Sequence, residues 1–295
     1  MAGRRRTRRR RRPRPRRRLW PAVFACSLAG VAAAAVALAY LWPLGGPAGG
    51  GARPPFEERV RPGPPPAPAA RSPRPHARPR VALLIDDLGY DLELDRAFYE
   101  IDADLSFSFL PGAPYTEVLA GEAARRGRDV LVHVPMEPMD PGVDPGPGAL
   151  RVDLPPGELR ARLRWCLSEV PGAVGANNHM GSRFTRDAAA MSVVLAELRH
   201  RGLFFVDSRT ASGSTGLATA AALGVPAAAR TVFLDDDPSP RAIRRQLRRV
   251  VAAARRRGEV VAIGHPYPAT WEVLSEELPR LRSQVELVPV HVLVK

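Results

Sequence analysis

The chain has 295 residues, 44 Lys and Arg against 30 Asp and Glu, a formal net charge of +14, and two Cys. Cys26 lies in an apolar stretch and Cys166 in a helical pattern, which excludes a disulfide-stapled scaffold. The charge is segregated: residues 1–18 hold twelve Arg and no acid, residues 43–80 hold seven Arg against Glu57 and Glu58, and 81–295 is left at −3, which excludes a basic nucleic-acid-binding domain and predicts no specific nucleic-acid partner.

From Leu19 to Trp42 run 24 residues without a charge. As a helix they would span about 36 Å, against a hydrocarbon core of about 30 Å. The Arg block ahead of them fixes orientation, and Trp20, Tyr40 and Trp42 sit near the two ends, where interfacial aromatics are favoured. This predicts a basic cytoplasmic tail over 1–18, a single-pass transmembrane signal anchor over 19–42, and a C-terminal domain on the periplasmic or extracytoplasmic side. A cleaved signal peptide ending at Ala37-Leu38-Ala39 is the competing reading, and the length of the apolar run favours the anchor. Residues 43–80 place twelve Pro in 38 positions beside Gly49-Gly50-Gly51, a composition that buries no core and predicts a disordered, semi-rigid linker.

From Val81 onward short apolar runs alternate with amphipathic stretches. Strands are predicted at Val81–Ile85, Leu105–Phe109, Asp129–His133, Ala173–Ala176, Leu203–Val206, Thr231–Leu234, Val260–Ile263 and Glu286–Val290. Helices are predicted at about 91–100, 114–126, 155–169, 187–201, 214–223, 239–257 and 270–282, with stop signals at Gly127, Gly202 and Gly258. The alternation predicts a parallel α/β fold, a regular or distorted (β/α) barrel of seven to eight strands over 81–295, with a doubly wound open sheet as the alternative. Asp86-Asp87-Leu88-Gly89 stands where a dinucleotide fingerprint would follow the first strand, so no such cofactor is expected.

In a parallel barrel the C-terminal strand ends build the site. The polar residues expected just past those ends are Asp86 and Asp87; His133 and Glu137; Asn177, Asn178 and His179; Asp207 and Arg209; Asp235–Asp237; and His265. A lone Asp after a strand is usually a turn former or cap, and Asp235–Asp237 ahead of Pro238 read as a helix cap. Convergence of imidazoles and carboxylates from separate strands on one mouth instead predicts a divalent-metal site, with Zn²⁺ the ion such donors suit.

Five segments together resemble the divergent polysaccharide deacetylases, a bacterial branch of the carbohydrate deacetylase group. They are Ile85-Asp86-Asp87-Leu88-Gly89-Tyr90, His133-Val134-Pro135-Met136-Glu137-Pro138, Asn177-Asn178-His179-Met180-Gly181-Ser182, Phe205-Val206-Asp207-Ser208-Arg209-Thr210 and Ile263-Gly264-His265-Pro266. The resemblance covers nearly all of 81–295 and none of the N-terminal 80 residues; it implies a distorted (β/α) barrel hydrolysing an N-acetyl or O-acetyl group of a polysaccharide or peptidoglycan-type glycan, which the predicted anchor would hold at the outer face of a bacterial inner membrane. Asp86 would be the general base, Asp87 and His133 metal ligands, and His265 the general acid. The group's second metal-binding His would fall at position 137, where this chain has Glu. Either Glu137 replaces the imidazole or the ligand comes from another loop, with His179 the preferred candidate. Asn177 and Asp207 would support or bind the metal, and Arg183 or Arg209 would hold an anionic or acetyl oxygen. The departure at Glu137 raises an alternative function: a glycan-binding or envelope-regulatory module without turnover.

Overall fold

A computed structural model describes residues 78–295; the tail at 1–18, the anchor at 19–42 and all but the last three residues of the linker lie outside the described residues. No helix among the described residues is long and apolar enough to cross a membrane.

The elements in order are β1 (Arg80–Leu88), α1 (Leu92–Tyr99), β2 (Leu105–Phe109), α2 (Thr116–Arg125), β3 (Val130–Met136), α3 (Pro156–Ser168) and β4 (Gly175–Met180). They continue as α4 (Ala188–His200), β5 (Phe204–Asp207), α5 (Gly216–Leu223), β6 (Ala227–Phe233), α6 (Pro240–Arg257), β7 (Glu259–Gly264), α7 (Pro268–Arg282) and β8 (Glu286–Leu287). The strands pair in parallel in chain order, and β1 pairs with both β2 and β7, so seven strands close a ring.

The eighth strand expected at Glu286–Val290 contributes only two paired residues beside β1, outside the ring. Pro289 has no N–H to extend the ladder, and the chain turns into a 3₁₀ helix at Val290–Leu293. These last residues cross the base of the barrel instead. Val288 N donates to Val81 O at 3.0 Å, Val290 N to Ser106 Oγ at 2.9 Å, His291 N to Asp129 Oδ2 at 2.9 Å and Lys295 N to Ala227 O at 3.1 Å.

Alternation along each strand decides what faces the barrel axis. Ala82 and Leu84 of β1, Leu131 of β3, Phe204 and Val206 of β5, and Val261 and Ile263 of β7 pack inside as an apolar plug. The residues between them, such as Val81, Leu83 and Ile85 of β1 and Val130, Val132 and Val134 of β3, point outward into the layer beneath the helices. Burial on both faces explains why the strands read as continuous apolar runs. Each fully buried Leu, Ile or Phe supplies about 1.5–3 kcal/mol of transfer free energy.

Local capping sets the helix starts. Asp91 accepts from Leu94 N at the head of α1 and Asp187 from Ala190 N at the head of α4. At α6 the cap is Ser239, which accepts from Ala242 N, and Asp237 Oδ1 accepts from Ser239 N. The cap expected from Asp235–Asp237 therefore lies further along the chain, and Asp235 is free for another task.

Candidate active site

The inward parity that builds the plug continues upward into a polar layer. Asp86 follows Ala82 and Leu84, His133 follows Leu131, Ser208 follows Phe204 and Val206, and His265 follows Val261 and Ile263. Several of these residues were expected in loops. Asp86, Asp87, Asn177, Asn178 and His179 instead lie within the strands, as His133 was expected to, because the ladder runs on past the apolar stretch; His133 is level with Asn177, and Pro135 with His179. Strand placement fixes these side chains more firmly than loops would.

Asp87 breaks the alternation. Adjacent strand residues face opposite sides, so Asp87 would point outward if β1 were regular. The β1–β2 register shifts between Ile85 and Leu88, and Asp87 adopts φ +58°. A bulge with a left-handed residue, a conformation Asp tolerates better than most side chains, turns the second carboxylate back to the mouth beside the first.

The two carboxylates meet two imidazoles there. His133 Nε2 lies 3.1 Å from Asp87 Oδ1 and 3.7 Å from Asp86 Oδ2, and His179 Nδ1 lies 3.0 Å from Asp87 Oδ1. The rings of His133 and His179 are edge to face with centroids 4.9 Å apart. Asp87, His133 and His179 each offer one donor atom to a common point. Among the described residues His179 Nε2 is buried with no hydrogen-bond partner, and Asp87 Oδ1 and His179 Nδ1 meet at 3.0 Å without hydrogen-bond geometry, a costly state for buried polar atoms. Zn–N and Zn–O bonds of about 2.0–2.1 Å put tetrahedral ligand atoms about 3.3 Å apart, close to the 3.1 and 3.0 Å that separate Asp87 Oδ1 from the two imidazoles. The donor set and the orphaned atoms thus fit a divalent cation.

Asn177 holds this arrangement from beneath. Its Oδ1 is 2.9 Å from His133 Nδ1 and accepts from Ser108 Oγ at 2.6 Å, while Nδ2 donates to both oxygens of Asp86 at 2.9 Å. An acceptor at Nδ1 places the His133 proton there and leaves the Nε2 lone pair toward Asp87. Asn177 is thereby a positioning residue for two site groups. Asn177→Ala is expected to weaken divalent-ion affinity about 10- to 100-fold, as measured by competition with a chromogenic chelator.

Burial sets the ionisation of the carboxylates in opposite senses. Asp86 is pushed up to about 6 by burial, against the pull of His133 and His265. Burial also disfavours the Asp87 carboxylate, but His179 and His133 outweigh it and hold Asp87 well below the usual range. For His179, burial outweighs the attraction of Asp87 and lowers its pKa, which keeps the imidazole neutral and able to ligate.

On the far side of the mouth His265 is paired with Asp235. His265 Nδ1 is 2.8 Å from Asp235 Oδ1, and Asp235 Oδ2 accepts from His265 N at 2.6 Å and from Thr270 Oγ1 at 2.7 Å. Burial works against the charged imidazole, yet the Asp235 carboxylate overcomes it and His265 rises to about 9. A Cβ at Gly264 would come within 3.3 Å of Asp235 Oδ2, so the glycine leaves room for this pair. From the sequence Asp235 stands at a strand end but has an ordinary capping explanation ahead of Pro238; Ser108 and Ser208 have the inward parity of their strands but no chemistry that singles them out.

The remaining candidates lie around this centre. Glu137 Oε1 pairs with Arg183 Nη1 at 3.1 Å and Oε2 accepts from Val152 N at 2.8 Å, so it ties the loop after β3 and stands apart from the Asp87–His133–His179 group. Asp207 has the outward parity of Phe205: it accepts from Ser214 Oγ at 2.7 Å and Arg209 N at 2.8 Å beneath α5, and burial raises its pKa. Arg209 and Met180 have φ near +50°, a strained conformation for side chains of this size. Their backbones are clamped: Arg230 donates to the carbonyls of Ser208 at 2.5 Å and Arg209 at 2.8 Å, while Asn178 and Thr210 donate to Met180 O at 2.7 and 2.8 Å.

A closed parallel barrel carrying an aspartate–histidine cluster and a His–Asp pair at its C-terminal mouth defines a deacetylase-like (β/α) barrel protein. The chain belongs to the divergent polysaccharide deacetylase family, whose model matches residues 83–294. It is 36% identical over 212 residues to an uncharacterised protein of Haemophilus influenzae, covering 72% of this chain and 75% of that one. It is 35% identical over 210 residues to the uncharacterised protein YibQ of Escherichia coli, covering 71% of this chain and 65% of that one. Among solved structures, an uncharacterised protein of Agrobacterium tumefaciens is similar with a TM-score of 0.71 and 25% identity, over 76% of this chain and 93% of that one.

Proposed function

We propose that this protein is a membrane-anchored, envelope-facing, metal-dependent deacetylase that removes an N-acetyl or O-acetyl group from a polysaccharide or peptidoglycan-type glycan. The observation that carries the reading is the coexistence of three convergent ligand side chains with a separate base and a separate acid, on a barrel of the deacetylase family. Asp87, His133 and His179 would hold the ion. Bound there, a divalent cation such as Zn²⁺ supplies Lewis acidity toward the acyl carbonyl and acidifies water.

Asp86 is not one of the three convergent ligands, lies beside them, and ionises near neutrality. It takes a proton from the water that attacks the acyl carbon. His265, held protonated and oriented by Asp235, gives a proton to the departing amine or alcohol as its bond to the acyl carbon breaks. Acetate and the free sugar amine or hydroxyl are the products.

The pH profile follows from these assignments. Activity rises as Asp86 loses its proton, at or below about pH 6, because a cation on Asp87 favours the carboxylate further. It falls as His265 loses its proton, at or below about pH 9, because the same cation offsets the Asp86 and Asp87 charges that favour the imidazolium. Asp235 raises the His265 pKa, so Asp235→Asn is expected to move the falling limb to lower pH, read from initial rates across pH.

Product analysis tests the function itself. The full chain incubated with an N-acetylated peptidoglycan-type glycan should release acetate and create amines that an amine-reactive dye labels; acetate without new amines indicates an O-acetyl substrate. Binding of glycan with no acetate released would instead establish the module without turnover.

A further inference from the structure

Charge is sorted along the barrel axis. Helices begin at the mouth and end at the base, and the base carries exposed arginines: Arg125 ending α2, Arg199 ending α4, and Arg255, Arg256 and Arg257 ending α6. Helix α6 holds eight Arg and no acid over Pro240–Arg257. A single cation in a last turn is accounted for by the helix dipole, but three in succession exceed that need. Several acids of the base are paired, Glu259 with Arg80 and Lys295, Asp102 with Arg282, and Glu100 with Arg126, while Glu169 and Glu286 offset only part of the arginine excess. The surplus is therefore positive on a domain whose overall charge is negative.

The linker joins at this same end. β1 starts at Arg80, whose N–H donates to the carbonyl of Gly258 at 2.8 Å, directly beyond Arg255–Arg257. Basic clusters beside a membrane anchor are drawn to anionic headgroups, and the attraction extends only about a Debye length.

We infer that the base of the barrel docks on anionic lipid headgroups, which turns the catalytic mouth away from the membrane. The inference rests on the reading of residues 19–42 as the anchor. That reading selects lipid over other polyanions, because the anchor would tether the barrel to a bilayer within reach of the 38-residue linker, which enters the fold at the arginine-bearing end.

The test uses the full chain in lipid nanodiscs containing a headgroup-attached quencher, with a fluorophore on one introduced cysteine. His200→Cys marks the base end of α4 and Ala188→Cys the mouth end of the same helix, about 18 Å away. In discs containing phosphatidylglycerol, quenching at position 200 should exceed that at 188 several-fold. The difference should vanish in phosphatidylcholine discs and in Arg255→Glu/Arg256→Glu/Arg257→Glu. Equal quenching at the two positions, or a difference indifferent to lipid charge and to the triple variant, would overturn the docking. Failure of the chain to enter discs at all would overturn the anchor reading, and the docking with it.

Discussion

Asp86→Asn is expected to lower acetate release by about 10²–10⁴-fold, the range that loss of a general base commands, while leaving the bound ion in place. The expectation separates two neighbouring carboxylates by role. Asp87 is held ionised by His133 and His179, whose ring nitrogens lie 3.1 and 3.0 Å from its Oδ1, as a ligand requires. Asp86 receives two hydrogen bonds from Asn177 and ionises at about 6, as a base requires. Asn keeps the volume of Asp86 but cannot take the proton, so kcat falls and metal content does not. The same variant distinguishes catalysis from glycan binding without turnover, since only catalysis depends on the proton acceptor. Metal analysis of the variant alongside its rate checks both halves; unchanged turnover in Asp86→Asn would remove the base from this position.

The second large effect concerns the ion. His133→Ala/His179→Ala removes two of three converging donors and is expected to abolish stoichiometric metal binding and turnover together, as measured by elemental analysis after gel filtration. The buried Asp87 carboxylate would then lose both groups that favour its charge. Its pKa would rise, and with it the pH at which Asp87 stays ionised. His179→Ala alone has a sharper meaning: it should behave like His133→Ala, because the imidazole from β4 takes the place that Glu137 does not fill. Retained metal in His179→Ala with loss in Glu137→Gln would reverse that assignment.

Much of this site was legible before any coordinates. The plug and the polar layer share one parity, so Asp86, His133 and His265 could be read as inward from their spacing to Leu84, Leu131 and Ile263. The same rule places Asp207 outward, with Phe205, an inference available from the sequence but obscured by treating strand-end residues as loop residues. Asp87 shows where the rule stops: one left-handed residue and a register shift reverse its direction, and neither is written in the local composition. Asp235 was hidden for a different reason. Its partner His265 is thirty positions away, just past the next strand, and the lateral pairing of β6 with β7 brings the two together. Glu137 and His179 were ambiguous in one dimension and separate in three, since β4 lies beside β3 in a register that sets position 179 level with 135.

The fold held closer to expectation because its signals are local. Alternation of apolar runs and amphipathic stretches predicts all seven ring strands and all seven α-helices of the described residues, with differences confined to ends, but neither of the short 3₁₀ helices. The short eighth strand was the exception, and Pro289 marks where its pairing stops.

One titration addresses the central claim most directly. Metal-stripped full-length protein is loaded stepwise with Zn²⁺ while bound metal and acetate release from an N-acetylated glycan are recorded together. Acetate release should rise in proportion to occupancy, reach its plateau at about one ion per chain, and be absent from His133→Ala/His179→Ala at every loading. Acetate release by the stripped protein equal to that of the loaded one, or a full ion retained by the double variant, would contradict the account.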